Sequence, residues 1–426
     1  MLTQSFSDPK TLFSIFVAAT VVQYLAESWL GRVNRATWHD PARQQEARES
    51  LGVTPEDMGK SLAYAEDRFK FDRVESAVDL WVSVGFLSLG GFGWVDGVAA
   101  RATSGVAGTP GIIARALVFF VVLGLLRMVW GLPWSWHRIF RIEEKHGFNR
   151  QTPAGFFSDI MKGVLVSAIL GGPLLAVLVW FIARAGTWWW LYAFLAVTAF
   201  SLVVSWAYPV LIAPLFNKFH ALEPGELREG IDRLAEKIGF ATNGIFVMDA
   251  SRRSSHGNAY FTGVFGKKRI VLFDTLVKDL SARQVIAVLA HELGHFKLHH
   301  VRKGLLRSIF FSFVTFYALG LVLPLTPFYL AFHFDAITPH AALVVFSLWS
   351  GLLSFWIQPA QCWISRRHEF EADAFARTAL GTGTDLVDAL RVLREKSSSM
   401  PFAHPLYSAW YYSHPPMIER IRALNS

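Results

Sequence analysis

Cysteine is almost missing: Cys362 stands alone in 426 residues. No intrachain disulfide can form, and a zinc site built on thiolates is excluded. Charge is scarce as well. Asp, Glu, Lys and Arg make up 17% of the chain against 53% apolar residues, less charge than a soluble protein of this length carries. The basic excess lacks the interleaved aromatic pattern of a base-stacking surface, so no nucleic-acid partner is expected. A net charge of +8 has a commoner source in Lys and Arg of cytoplasmic loops. Repeats and low-complexity segments are missing too.

What is present is a series of long apolar runs. They predict a mainly α, polytopic membrane protein with seven transmembrane helices, near residues 11–30, 78–99, 112–134, 163–184, 188–212, 305–331 and 341–363. The first run is too long for a removable signal peptide and lacks its small-residue cleavage site, so it counts as a span. Asp79, Asp96, Arg115 and Arg127 fall inside spans and are expected to face a bundle interior or a water-filled cavity. The loops at 31–77 and 135–162 are rich in Lys and Arg, whereas 100–111, 185–187 and 332–340 hold few. That asymmetry puts the N-terminus outside and the C-terminus inside. The soluble segment 213–304 then shares the cytoplasmic side with the tail.

This segment reads as a small α+β unit. A helix is predicted from Pro224 to Ile238, a strand over Gly244–Asp249, and two more over Asn258–Val264 and Arg269–Phe273. Ser281 suits the N-cap of a helix running through "ARQVIAVLAHELGHFKLHH". Four domains follow: residues 1–212 with five spans, 213–304 with the catalytic insert, 305–363 with two spans, and 364–426 with a C-terminal catalytic segment.

Within that helix, His291, Glu292 and His295 form an HExxH motif. Histidines four apart point the same way and can reach one zinc ion, with the glutamate beside it. A catalytic zinc needs a third protein ligand and one open position. Leu298 and Val301 occupy the places where an extended HExxHxxGxxH pattern has glycine and histidine, so that class fails. A helix continuing past His295 would carry His299 and His300 away from the metal. The other source is "SRRHEFEADAFA" (Ser365–Ala376), where Glu369 and Asp373 share a helix face. One carboxylate can bind the metal while the next accepts the free ring N–H of a ligand histidine. His368 is the competing ligand.

Six blocks complete the picture: "EEKHGFNRQT", "YPVLIAPLFNKF", "NAYF", "HELGHFKLHH", "RRHEFEADAFA" and "YSHPPMIERI". In this order they resemble the type I CAAX prenyl protease family of integral-membrane zinc proteases over nearly the whole chain. The resemblance implies a ring of seven helices around a large chamber, with zinc held by His291, His295 and Glu369 and Asp373 behind them. Glu292 would act as general base, His414 and Arg420 would face the oxyanion, and Asn258, Ala259 and Tyr260 would pair with an extended substrate. Gly257 departs from the family, where a small polar residue is usual.

The function implied is zinc metalloendopeptidase, one Zn2+ per chain, acting on a peptide or the C-terminus of a prenylated protein beside the lipid bilayer. A monomer is expected. The expected location is a bacterial inner membrane, or the endoplasmic reticulum of a eukaryote, with the site on the cytoplasmic side. A shorter heat-shock-associated (HtpX-type) membrane protease would have fewer spans. A transporter or scaffold with a dead site would have lost one of these residues, and all are present.

Overall fold

The computed structural model describes residues 8–240, 242, 244–252, 259–262 and 269–426. Its helices are α1 (Pro9–Trp38), α2 (Pro41–Leu51), α3 (Pro55–Ser88), α4 (Gly91–Ala102), α5 (Gly108–His137), α6 (Pro153–Arg184) and α7 (Trp189–Ala207). After α7 come β1 (Phe219–Ala221), α8 (Glu226–Ile238), β2 (Ile245–Met248), β3 (Ala259–Thr262), β4 (Arg269–Phe273) and α9 (Asp274–Asp279). The chain closes with α10 (Ala282–Lys297), α11 (His300–Val322), α12 (Pro339–Leu380), α13 (Thr384–Ser397), α14 (Pro405–Tyr411) and α15 (Met417–Asn425).

Five of these helices start the same way. Asp8, Asp40, Thr54, Thr152 and Thr338 cap α1, α2, α3, α6 and α12 through their side-chain oxygens, and proline follows each cap. The cap satisfies an orphan N–H, while proline gives up an N–H that has no partner in the first turn anyway. Several starts are therefore written in two letters of sequence.

Among the described residues six helices are long and apolar enough to cross a membrane, and α3 with α4 makes a seventh if their 60° bend is one broken span. The sequence reads 78–99 as a straight span, and that expectation needs correcting. Gly90 at φ 74° breaks it, and a Cβ on Gly91 would sit 2.4 Å from the Phe86 ring. Likewise the sixth predicted span stops at Val322, and a separate short helix covers Thr326–Leu330. Two of the intramembrane charges face each other rather than open space. Arg115 grips Asp96 with two 2.8 Å bonds, and His340 Nε2 lies 2.8 Å from Asp96 Oδ1. Asp79 instead accepts from Trp130 Nε1 at 2.7 Å.

The α+β unit forms as read, with one added strand. The sheet order is β1-β2-β4-β3, β2 and β4 running parallel and both outer pairs antiparallel. Ile270, Leu272, Val285, Leu289 and Leu293 are fully buried in one core that also takes in α8, α13 and α15. Each such side chain contributes roughly 1.5–3 kcal/mol of transfer free energy. The unit is thus held by apolar packing onto the C-terminal segment.

One helix ties this layer to the membrane. The 42 residues of α12 run to about 63 Å at 1.5 Å per residue, twice the roughly 30 Å hydrocarbon core. Span and "SRRHEFEADAFA" therefore share one continuous helix, with Pro359 inside it, and are not a span followed by a separate helix. Its far half stands clear of the bilayer and carries the acidic residues.

Candidate metal centre

Everything converges where α10 crosses the outer half of α12. Ser281 caps α10 with a reciprocal box, its backbone N–H donating to Gln284 Oε1 at 2.9 Å. Val285, Leu289 and Leu293, four apart, fix the buried face, and this orients His291 and His295 toward α12. Close approach needs a small residue at the crossing. Gly294 supplies it, because a Cβ there would lie 3.1 Å from Ala372 Cα.

The two helices bring His291, His295, Glu369 and Asp373 together, as their spacing suggests. His291 Nε2 lies 3.2 Å from His295 Nε2 and 3.4 Å from Glu369 Oε2, and His295 Nε2 lies 3.2 Å from Glu369 Oε1. Tetrahedral zinc at 2.0–2.1 Å from each ligand sets its ligand atoms about 3.3 Å apart. The triangle of His291, His295 and Glu369 has sides near that value, each measured to the Glu369 oxygen that faces the ring concerned. Glu369 is 4% exposed, and its Oε2 is buried without a hydrogen-bond partner. A bare carboxylate oxygen is costly inside a protein unless something positive meets it. The donor set therefore fits a zinc ion.

Behind the triangle, His291 Nδ1 lies 2.8 Å from Asp373 Oδ1, a separation that fixes which ring nitrogen faces inward. Arg420 holds Asp373 in turn, through Nε at 2.9 Å and Nη2 at 2.6 Å. Its Nη1 lies 3.8 Å from Glu369 Oε2. Burial by itself would lower the His291 pKa, but bonding to Asp373 and Glu369 outweighs it and pushes the ring up to about 9. Glu292 is half-buried beside the pair, and burial pushes its carboxyl up as well.

The C-terminal residues reach the site because Arg366 pins their loop. Its Nη1 donates to the carbonyls of Ser408 at 2.7 Å and Tyr412 at 2.8 Å. Ile418, Ile421 and Leu424 bury one face of α15 and aim Arg420 inward. His414 stays largely exposed at the mouth, its Nε2 3.4 Å from Glu369 Oε1.

His368 points elsewhere, its ring stacked on His300 with centroids 4.0 Å apart. Ala259 and Tyr260 lie on β3, the sheet's outer strand, which packs against α10. The Ala259 methyl is buried in the core, and the Tyr260 ring meets Phe273 edge-on. Asn258 and Gly257 lie outside the described residues.

The "EEKHGFNRQT" block turns out to be scaffolding. Tyr64 donates to Glu143 at 2.7 Å, while Lys145 and His146 both reach Asp67, at 2.6 and 2.8 Å. It locks α3 to the loop before α6. The residue that spacing missed is His300, which the structure returns to His295 with Nδ1 atoms 3.0 Å apart. The one hint was two histidines after Leu298, histidine being among the side chains that tolerate a left-handed backbone.

Similarity to known proteins extends over nearly the whole chain. Residues 42–218 match the family model for the CAAX prenyl protease N-terminal region with five membrane helices, and 221–426 match peptidase family M48. A CAAX prenyl protease 1 homolog of Arabidopsis thaliana is 37% identical over 88% of each chain. The human homolog is 33% identical over 98% of this chain and 96% of its own. The crystal structure of S. mikatae Ste24p superposes with a TM-score of 0.90 at 31% identity, covering 97% of this chain and 99% of that one. The chain belongs to peptidase family M48 and is an integral-membrane metallopeptidase of the CAAX prenyl protease 1 type.

Proposed function

We propose that one zinc ion is held by His291, His295 and Glu369, and that the enzyme removes the last three residues of proteins ending in a prenylated CAAX sequence. The observation carrying the first part is the triangle of acceptor atoms at zinc spacing with an unpartnered Glu369 oxygen. The second part rests on relatives named as CAAX prenyl proteases. Zinc, when bound, supplies a lowered pKa for water and polarises the scissile carbonyl. Glu292 takes the water proton on its carboxylate and passes it to the leaving amine, a task that suits a carboxyl whose pKa burial raises. His414 and Arg420 Nη1 stand on the side where the oxyanion grows. The NAYF stretch, Asn258, Ala259 and Tyr260, would pair with an extended substrate whatever its side chains.

The division at 1–212, 213–304, 305–363 and 364–426 separates what spans the membrane from what does the chemistry. Basic loops at 31–77 and 135–162 support a cytoplasmic active site, and the rule orients a bacterial inner membrane and an endoplasmic reticulum membrane alike. Several spanning helices bury almost none of their apolar window, as expected when one face meets lipid and the other a hollow. The protein would work as a monomer, and substrates would enter such a chamber between helices, as segments without a folded domain.

The test is hydrolysis of a short farnesylated CAAX peptide beside its unprenylated twin in detergent. The farnesylated peptide should be cut preferentially, 1,10-phenanthroline should stop the reaction and zinc should restore it, while native albumin survives. Albumin degraded with the farnesyl peptide untouched would contradict both the chamber and the substrate.

A further inference from the structure

The HExxH helix does not continue into the next span. α10 ends at Lys297, His299 takes φ 60°, and α11 begins at His300. On an unbroken helix His300 would lie about 140° around the axis from His295. The left-handed residue instead folds it back, so His295 Nδ1 and His300 Nδ1 sit 3.0 Å apart. His300 is 5% exposed, and its Nε2 reaches Glu371 Oε2 at 3.0 Å. Glu371 stands on α12, and Arg367 Nε donates to its other oxygen at 3.0 Å.

One proton arrangement satisfies the whole row. With His295 Nε2 turned to His291 and Glu369, its Nδ1 carries hydrogen and donates to His300 Nδ1. His300 Nε2 then carries hydrogen and donates to Glu371. We propose that His300 is a positioning residue for His295, fixing its tautomer and ring plane, with Glu371 as anchor. It does for the second histidine what Asp373 does for His291, and the inference rests on reading His295 as a metal ligand. A second metal ion shared by His300, His368 and Glu371 does not suit the rings. His300 and His368 stack with planes 8° apart, so their in-plane lone pairs cannot converge on one point between them.

The experiment measures zinc affinity of the full chain in detergent by competition with a metal-chelating dye, with circular dichroism reporting folding. His300→Ala should weaken zinc roughly 10–100-fold, the usual cost of losing a partner behind a ligand. His300→Asn, whose Oδ1 takes the place of Nδ1 as acceptor, should recover most of that loss. Glu371→Gln should weaken zinc less and leave folding intact, which decides the matter if His300→Ala does not fold. Zinc affinity within twofold of wild type in His300→Ala, or in Glu371→Gln where His300→Ala does not fold, would overturn the proposal. So would His300→Asn binding no tighter than His300→Ala, or a second zinc equivalent that vanishes with His300. If His295→Ala itself keeps its zinc, the ligand reading has failed instead.

Discussion

Two buried clusters sit near opposite ends of α12, and they share three residue types. His340, near its start, meets Asp96 and Arg115 in the membrane belt; Asp373, toward its end, meets His291 and Arg420. Each has an aspartate gripped twice by arginine, with a histidine within hydrogen-bond distance. In the membrane belt Thr338 Oγ1 also meets His340 Nε2, both Asp96 oxygens are occupied, and His340 Nδ1 is left unpartnered, but among the described residues no set of metal-binding side chains gathers there. In the outer layer the same trio forms only the back wall. Glu369 and His295 stand in front of it, converging with His291 and leaving Glu369 Oε2 bare. A buried acid, arginine and histidine are thus no sign of chemistry. The sign is a set of metal-binding side chains whose ligand atoms converge at zinc spacing.

The sharpest way to break this comparison is to remove one acid from each cluster. Glu369→Ala should lose nearly all bound zinc and all hydrolysis, because it deletes a ligand. Asp96→Ala should destabilise the helix bundle by stranding Arg115, yet leave zinc in the folded fraction at wild-type level. Metal analysis beside a melting curve reads both. Full zinc in Glu369→Ala with loss in a His368 variant would move the ligand to the neighbouring residue.

Asp373→Ala is the next largest change, expected to weaken zinc roughly 10–100-fold without removing a ligand. Its partner Arg420 would be left buried and unpaired, so part of the effect should appear as lost stability.

Much of this contrast was legible in the sequence, and its gaps have physical causes. HExxH spacing puts both imidazoles on one face whatever surrounds them, and Ser281 announces the helix start, so the α10 half of the site could be read directly. Glu369 and Asp373 could be paired by their spacing, but choosing Glu369 over His368 took the family pattern. Period alone could not show that α12 runs unbroken from span to site, since composition changes at Ser365 while backbone preference does not. Nor does hydropathy register a backbone break. Gly90 and His299 each redirect the chain through one left-handed residue, which is how a predicted straight span became bent and a discarded histidine came back to the centre. The three-residue β1 strand is too short to carry a pattern at all.

Acidity offers a gentler test of the site. In the metal-free protein His291 holds a proton up to about pH 9, and zinc must displace it. Affinity should therefore rise about tenfold per pH unit between pH 7 and 8 on this account, flattening near 9. The sign for stability is opposite. The metal-free fold is favoured by this histidine below its ordinary pKa, and the benefit fades as pH climbs toward 9. A flat zinc affinity between pH 7 and 8 would mean His291 is neutral before metal arrives.

Gly294→Ala should give the smallest effect. The new methyl would press on Ala372 and spread the helices by a few tenths of an ångström, costing on the order of 1–3 kcal/mol. Zinc affinity should fall along with the melting temperature. An unchanged melting temperature would show that the crossing has more slack than the 3.1 Å approach to Ala372 implies.

In the proposed mechanism the chemistry comes from a carboxylate, Glu292, acting on water beside a metal it does not bind. Glu292→Gln separates those two roles in one preparation. Zinc should stay near one per chain and the melting temperature should hardly move, while hydrolysis of the farnesylated peptide falls at least about a hundredfold. Turnover near wild type with zinc retained would contradict the account; zinc lost along with activity would make Glu292 a ligand.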